Sequence, residues 1–490
     1  MLCLKNFVRR VSGFKSKEVE KLIPQLEQLL GSNNVKTSDA SRQQHSHDEG
    51  HFLYLNIFRG ELPDVVVLPK SVNEVSSIAK LCNDHRVSII PFGTGTGLEG
   101  GVNAIHGGVS LDLMLMDKIV SVNAEDFTCT VQPGVTRKKL NSFLKNSGLW
   151  FAVELLVPCL DPGADASICG MAATCASGTN AVRYGTMLTN VLNLEVVLPN
   201  GEILNTRGKG RRPRKSAAGY NLTELFVGSE GTLGVITEAT VRLHAYPSFI
   251  SAAVCNFPTV YDAVNAVVAV LQCSVPVARI EFMDQLQVAA SNKFSHLEIK
   301  ELPSVFLEFH GCSEDDVKNQ AELVGSICQD FKGGEFTWSH LPEERDKLWT
   351  ARHNALYAVL ATKRDSRCFC TDVCVPISHL ADVITNTRKD IDESGVFGTI
   401  VGHVGDGNFH CMFPVDEQNK DEMKRVWGLS NRLVERALAV GGSCTGEHGV
   451  GLGKREYIKK EFGDEGITAM RAIKKAFDPN GIMNPGKIFL

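Results

Sequence analysis

The stretch "PFGTGTGLEGG", Pro91 to Gly101, decides the fold. It follows a short apolar run, "VSII", and its Gly95, Gly97 and Gly100 satisfy G-x-G-x-x-G, the spacing of a dinucleotide-binding turn. That turn works only where its glycines open a crossover helix whose N-terminus receives the pyrophosphate. Here the chain continues "VNAIHGGVSLDLMLM". His106, Gly107 and Gly108 end any helix almost at once, and "VSLDLMLM" reads as another strand. Asp112, the acid a ribose contact would need, lies inside that strand rather than beyond a helix. The nicotinamide reading fails on these grounds. The loop still suits a phosphate, because Gly93, Gly95, Gly97, Gly100 and Gly101 all tolerate positive φ and let successive N–H groups converge on one anion.

The rest of the composition narrows the class. The chain has 490 residues, 43% hydrophobic and 22% charged, enough for two or three domains with real cores. A formal net charge of −5 gives no reason to expect nucleic acid as a partner. No apolar run approaches the roughly 18 residues of a membrane-spanning helix. Fifteen cysteines are too sparse for a disulfide scaffold and read as reduced, mostly buried thiols. "MLCLKNFVRRVSGFKSKEVE" carries five Lys or Arg residues before its first acid, Glu18, and lacks a continuous apolar segment. That is the composition of an organelle transit peptide, here taken as residues 1–20, rather than of a secretory signal.

Residues 21–60 read as a helix, with Leu22, Leu26 and Leu29 on one face and Gly31 as its stop, followed by a polar linker. "PDVVVLP" and "RVSIIPF" read as strands flanking a helix capped by Ser71. "DFTCTVQPG" and "NVLNLEVVLPNGEIL" are further strands, and "RGKGRRPRK" is a solvated basic loop. After about Pro247 the texture changes. "ISAAVCNF", "SVFLEFHG" and "GTIVGHVGDGNFHCMF" read as strands alternating with longer helices, which predicts a second α+β domain with an antiparallel sheet over residues 247–490.

Four further stretches carry chemistry. "DPGADASICGMAATCASGTNAVRYGTM", Asp161 to Met187, is dense in Gly, Ala and Ser, so its backbone can lie against an extended ligand. "GHVGDGNFH" holds His403 and His410, and "GEHGVG" holds Glu447 and His448. Two imidazoles and a carboxylate suit a divalent ion such as zinc or manganese, with a position open for substrate. Glu447 and His448 are neighbours, so one faces the ion and the other is free to act as a base. Arg352, in the helix-like "LWTARHNALYAVLATKR", suits a substrate carboxylate. Cys368, Cys370 and Cys374 in "CFCTDVC" read as buried apolar thiols.

Taken in order, "PFGTGTGLEGG", "RYG", "GSEGTLGVITEATVRL", "GHVGDGNFH", "GEHGVG" and "NPGKI" resemble the FAD-binding family typified by vanillyl-alcohol oxidase, and more narrowly its D-2-hydroxy-acid dehydrogenase branch. The resemblance runs from "PDVVVLP" to "NPGKIF". It implies an α+β chain with a PCMH-type FAD-binding domain of two α+β subdomains over residues 61–246 and a substrate, or cap, domain over 247–490. Non-covalent FAD would lie along Pro91, Gly93, Thr94, Gly95, Thr96, Gly97, Gly100 and Gly101. It would continue along Asp161, Gly163, Ala164, Ile168, Gly170, Gly178, Tyr184 and Gly185, with Val235 and Ile236 near the adenosine and Asn484 returning from the C-terminus. His403, His410 and Glu447 would hold the divalent metal, His448 would be the general base, and Arg352 with Asn408 would hold the substrate carboxylate. The implied reaction converts a D-2-hydroxy acid to a 2-oxo acid in the mitochondrion, with cytochrome c as the electron acceptor.

Relatives that oxidise the dicarboxylate D-2-hydroxyglutarate would be expected to carry a hydroxyl one turn after Arg352 and a Lys just before the "TD" pair; this chain has Leu356 and Cys370 there. A second carboxylate would be stranded without a cation. The pattern therefore favours D-lactate and longer aliphatic substrates. A D-2-hydroxyglutarate dehydrogenase and, in another class, a metallohydrolase built on the His/Glu cluster remain the competing readings.

Overall fold

The "VVV" run becomes a strand, and the chain around it builds the first of the three larger sheets among the described residues. The computed structural model describes residues 17–50, 62–154 and 165–489. β1 (Val35–Lys36), β2 (Val65–Val67), β3 (Ile89–Phe92) and β4 (Val109–Asp112) form a sheet in the order β1-β2-β4-β3, parallel except for β1. The helix Val72–His85 crosses between β2 and β3, capped by the Ser71 side chain on the Glu74 N–H. The helix Lys17–Leu30 covers the same core with Val19, Leu22, Leu26 and Leu30. Leu30, not Leu29, completes its buried face; Leu29 is half-buried at the margin. The helix starts at Lys17, so residues 17–20 of the expected leader form its first turn, with Val19 alone among them buried in this core. Residues 1–16 of that leader lie outside the described residues.

No helix follows the glycine loop. The chain runs from β3 through loop and turns directly into β4, its parallel neighbour. The C-terminus closes this sheet: Ile89 N–H donates to the Ile482 carbonyl, and Asn484 N–H donates to the Ile89 carbonyl, beside buried Met483. Residues of the last turn are thereby fixed next to the loop.

β5 (Ile119–Asn123), β6 (Thr128–Val131), β7 (Leu149–Trp150), β8 (Val191–Val197), β9 (Ile203–Asn205), β10 (Val235–Arg242) and β11 (His244–Ala245) follow. They give an antiparallel sheet in the order β5-β6-β10-β8-β9, with β7 and β11 paired separately. The helix Ile168–Thr174 packs on β10 through Ile168, Met171 and Ala172. "NVLNLEVVLPNGEIL" is therefore a hairpin of two strands turning at Asn200 and Gly201. The basic stretch is solvated as expected, with residues 209–221 exposed throughout.

The third sheet has eight antiparallel strands: β12 (Phe249–Asn256), β13 (Val277–Met283), β14 (Ser304–Gly311), β15 (Phe336–Ser339), β16 (Arg367–Cys370), β17 (Val373–Cys374), β18 (Thr399–Gly402) and β19 (Asn408–Val415). Their order is β15-β12-β14-β13-β18-β19-β16, with β17 beside β19. The helices Val260–Gln272, Leu380–Ser394 and Lys420–Ala439 contribute to the largest core on its surface. "GTIVGHVGDGNFHCMF" is not one strand but the β18–β19 hairpin. Its turn holds Gly407 at φ 88°, where a Cβ would strike the Val375 carbonyl. "ARHNALYAVL" is likewise two helices, Pro342–His353 and Ala355–Leu360, meeting at Asn354.

Candidate active site

The glycine loop lines a cavity between the first two sheets and the loop that carries Glu447 and His448. Pro91, Gly93, Thr94, Gly95, Thr96, Gly97 and Gly101 form one wall, and Gly170, Ile236 and Asn484 also line it. Among the described residues the N–H groups of residues 94–98 carry no hydrogen bond, so the front of the loop presents free donors. Its back is fixed by Asp48, whose carboxylate accepts from Gly50, Gly100 and Gly101. Burial pushes the Asp48 carboxyl up to about 7 against those three N–H donors. Gly95 needs its φ of 72°, and a Cβ there would lie 2.9 Å from Phe92. These features fit FAD: a backbone cradle for pyrophosphate, and a long wall of small residues for a flat ring.

Several residues expected on that wall are elsewhere. Ile168 and Val235 point into the apolar core and are fully buried there. Gly100 backs onto Leu452. Gly178, Tyr184 and Gly185 do not line the cavity. The Tyr184 hydroxyl is engaged with His310 Nδ1 at 2.7 Å, within a ring cluster that includes Trp150 and His244. Asp161, Gly163 and Ala164 lie outside the described residues.

Glu447 and His448 line the same cavity. The β18–β19 hairpin puts His403 just after β18 and His410 within β19, and both face Glu447. His403 Nε2 and His410 Nε2 lie 3.1 and 3.2 Å from Glu447 Oε1. The outer nitrogens are occupied: His403 Nδ1 donates to Glu281 Oε1 at 2.7 Å, and His410 Nδ1 donates to the Thr371 carbonyl at 3.1 Å. Glu447 Oε2 is buried with no partner among the described residues. Two imidazoles held by their outer nitrogens and an orphaned carboxylate oxygen fit a divalent metal. Burial opposes the charge on Glu447, but His403 and His410 hold its carboxyl far below the usual range. Burial likewise opposes protonation of His403, and Glu281 and Glu447 outweigh it, raising the imidazole well above its ordinary value.

His448 stacks on His410, with centroids 5.0 Å apart and planes at 7°. Its Nδ1 is 3.7 Å from Glu99 Oε1. Burial lowers its affinity for a proton, while Asp372 and Glu99 raise it further than burial lowers it.

Arg352 does not lie open to a ligand. It is 2% exposed, and its Nε and Nη2 both meet Glu281 Oε2 at 2.8 Å. It therefore holds the carboxylate that holds His403. Asn408 is also engaged within the protein. Its Nδ2 donates to Asp372 Oδ1 and to the Val373 carbonyl, and it does not line the cavity. Cys368, Cys370 and Cys374 are half-buried rather than buried, because β16 and β17 sit at the margin of the sheet beside the site.

Besides Asp48 and Glu281, three acids with no local signal in the sequence fix the loop that carries Glu447 and His448. Asp372 Oδ2 accepts the N–H groups of Gly446, Glu447 and His448 and the Thr445 hydroxyl, which fixes the "GEHGVG" loop. Glu230 accepts from Val450 and Gly451, tying that loop to the second sheet. Glu99 accepts at its carbonyl from Leu452 and lies 3.4 Å from Lys454 Nζ. The glycines around positions 446–451 are the signal that could have revealed this, since such a run of free N–H groups needs an acceptor.

Comparison with known proteins agrees with this geometry. The model "FAD binding domain" matches residues 63–207, and "FAD linked oxidases, C-terminal domain" matches residues 246–488. The chain is 52% identical over 480 residues to "Probable D-lactate dehydrogenase, mitochondrial" of Danio rerio, covering 98% of this chain and 94% of that one. It is 42% identical to "D-lactate dehydrogenase [cytochrome], mitochondrial" of Arabidopsis thaliana, over 98% of this chain and 82% of that one. A Saccharomyces cerevisiae "D-lactate dehydrogenase [cytochrome] 1, mitochondrial" is 38% identical, over 96% and 80%. In fold, p-cresol methylhydroxylase superposes with a TM-score of 0.78 at 18% identity, over 97% of this chain and 98% of that one. With the cradle, the sheets and the matched sequence in agreement, the chain belongs to the vanillyl-alcohol oxidase, or PCMH-type, family of FAD-linked oxidoreductases.

Proposed function

We propose that the chain is a mitochondrial FAD-dependent dehydrogenase that oxidises D-lactate and related aliphatic D-2-hydroxy acids to 2-oxo acids, passing electrons to a cytochrome. The observation that carries this is the shared wall: the glycine cradle and the pair Glu447–His448 line one cavity, so a cofactor ring and a base can meet one substrate. The names of the relatives from Danio rerio, Arabidopsis thaliana and Saccharomyces cerevisiae support the substrate and the compartment, and the latter two support the acceptor. We assign residues 61–246 to the cofactor domain and 247–490 to the substrate domain; the passage from β11 to the first strand of the third sheet between Ala245 and Phe249 supports that division.

The free N–H groups of the loop would hold the FAD pyrophosphate, and FAD when bound supplies the hydride acceptor. His403, His410 and Glu447 would hold the divalent ion, which when bound lowers the pKa of the 2-hydroxyl. His448 takes the hydroxyl proton. Its ring is kept in place by the stack on His410, and Glu99 offsets the positive charge it gains. Arg352 acts through Glu281, fixing His403 with its Nε2 toward Glu447. The apolar small-residue wall excludes water from the transfer.

Chelation tests the reading. Metal-free protein should keep its flavin spectrum and lose turnover of D-lactate, and a hard divalent ion such as manganese should restore it. Undiminished turnover without metal would contradict the role given to His403, His410 and Glu447.

A further inference from the structure

A second set of ligating atoms adjoins the first. Cys370 ends β16 and pairs with Met412 of β19, so it shares a sheet face with His410, two residues before Met412. His448 stacks on the same His410. The thiol of Cys370 and ring nitrogens of His410 and His448 all lie within 4.8 Å of one another. Ligands on one tetrahedral ion, at about 2.0–2.3 Å from it, are roughly 3.5 Å apart, so modest side-chain rotation closes the set. His448 Nδ1 is buried without a hydrogen-bond partner among the described residues, and its side chain is only 7% exposed. A small cavity is bordered by Cys370, Glu99 and Lys454.

We propose that Cys370, His410 and His448 form a second cation site, selective for thiophilic ions such as zinc or cadmium. Ligand softness separates it from its neighbour. His403, His410 and Glu447 offer two nitrogens and a hard oxygen, whereas this set offers two nitrogens and a thiolate. Binding releases the thiol proton to solvent. His410 belongs to both sets, with its Nδ1 on the Thr371 carbonyl and its Nε2 facing Glu447. The two sites therefore exclude each other: a hard ion such as manganese stays on the Glu447 side, and a thiophilic ion moves to the Cys370 side. A thiophilic ion there also occupies His448, so it inhibits. That consequence rests on the base role proposed above, but the binding itself does not.

Zinc K-edge X-ray absorption on the zinc-loaded, FAD-containing full chain tests the site. A sulfur shell at about 2.3 Å is expected in the wild type. It should vanish in Cys370→Ser and in Cys370→Ala, and persist in His403→Ala. A shell of nitrogen and oxygen alone in the wild type, or a sulfur shell unchanged in both Cys370 variants, overturns the proposal. In the manganese-loaded enzyme, the zinc concentration for half-inhibition should rise at least about tenfold in Cys370→Ser. A Cys370-dependent sulfur shell without inhibition supports the site and contradicts the role of His448 instead.

Discussion

His448 owes its position to neighbours rather than to its own side chain. Asp372 holds its backbone N–H and those of the two residues before it, and Glu230 holds the two N–H groups that follow Gly449. Removing the ring should therefore leave the loop standing. For His448→Ala, flavin reduction by substrate should fall by about 10²–10⁴-fold, with FAD retention unchanged in the absorbance spectrum. Arg352 gives a different signature, because it touches Glu281 and not the cavity. Arg352→Met leaves the Glu281 carboxylate without its cation and loosens His403. Metal affinity, measured by titration of the metal-free protein, should drop about 10–100-fold. A raised KM with unchanged metal affinity would instead return Arg352 to direct contact with substrate.

Among the elements, the loop from Gly446 to Lys454 joins the domains. Its N–H groups reach acceptors on three separate segments: Asp372, Glu230 and the Glu99 carbonyl. Glu230→Ala would leave the Val450 and Gly451 N–H groups without their acceptor, at about 1–3 kcal/mol each. The melting temperature should fall by several degrees, and substrate-driven flavin reduction should slow, while Glu230→Gln recovers part of both. The loop itself is legible in the sequence through its glycines and the Glu-His pair. The acids are not, because Asp48, Glu99, Glu230 and Asp372 are distant in the chain and each is an ordinary acid in its local context. The same blindness explains Arg352: helical spacing places it on a helix, but only the tertiary pairing with Glu281 shows what its fork holds. Ile168 and Tyr184 sit in a stretch of correct composition, yet helix periodicity turns Ile168 inward, and His310, more than a hundred residues away, takes the Tyr184 hydroxyl.

For the whole molecule, the strands are readable from alternation and apolar runs, and the absence of a crossover helix after Gly101 separates the first sheet from a dinucleotide-binding unit. The closing of that sheet by the C-terminus is not readable, since Ile482 and Met483 carry no strand pattern of their own. Between the second and third sheets stands Glu154, bonded to Arg279 of β13, to Arg137 and to Asn180. Burial alone would raise its carboxyl, but Arg279 and Arg137 bring it down to about 2, below its ordinary 4.5. A carboxyl lowered on folding contributes stability above its unfolded value and loses it as pH falls. Thermal melts should thus show stability dropping from pH 4.5 toward about 2, and Glu154→Gln should flatten that part of the profile. An unchanged slope would deny the clamp. The joint cavity and its chemistry meet their most direct test in one measurement: anaerobic titration of the bound flavin with D-lactate, L-lactate and D-2-hydroxyglutarate. D-lactate should bleach the flavin band near ~450 nm, with L-lactate inert and hydroxyglutarate much weaker. A flavin that D-lactate leaves oxidised, or that hydroxyglutarate reduces faster, would contradict the assignment of the cavity to an aliphatic D-2-hydroxy acid.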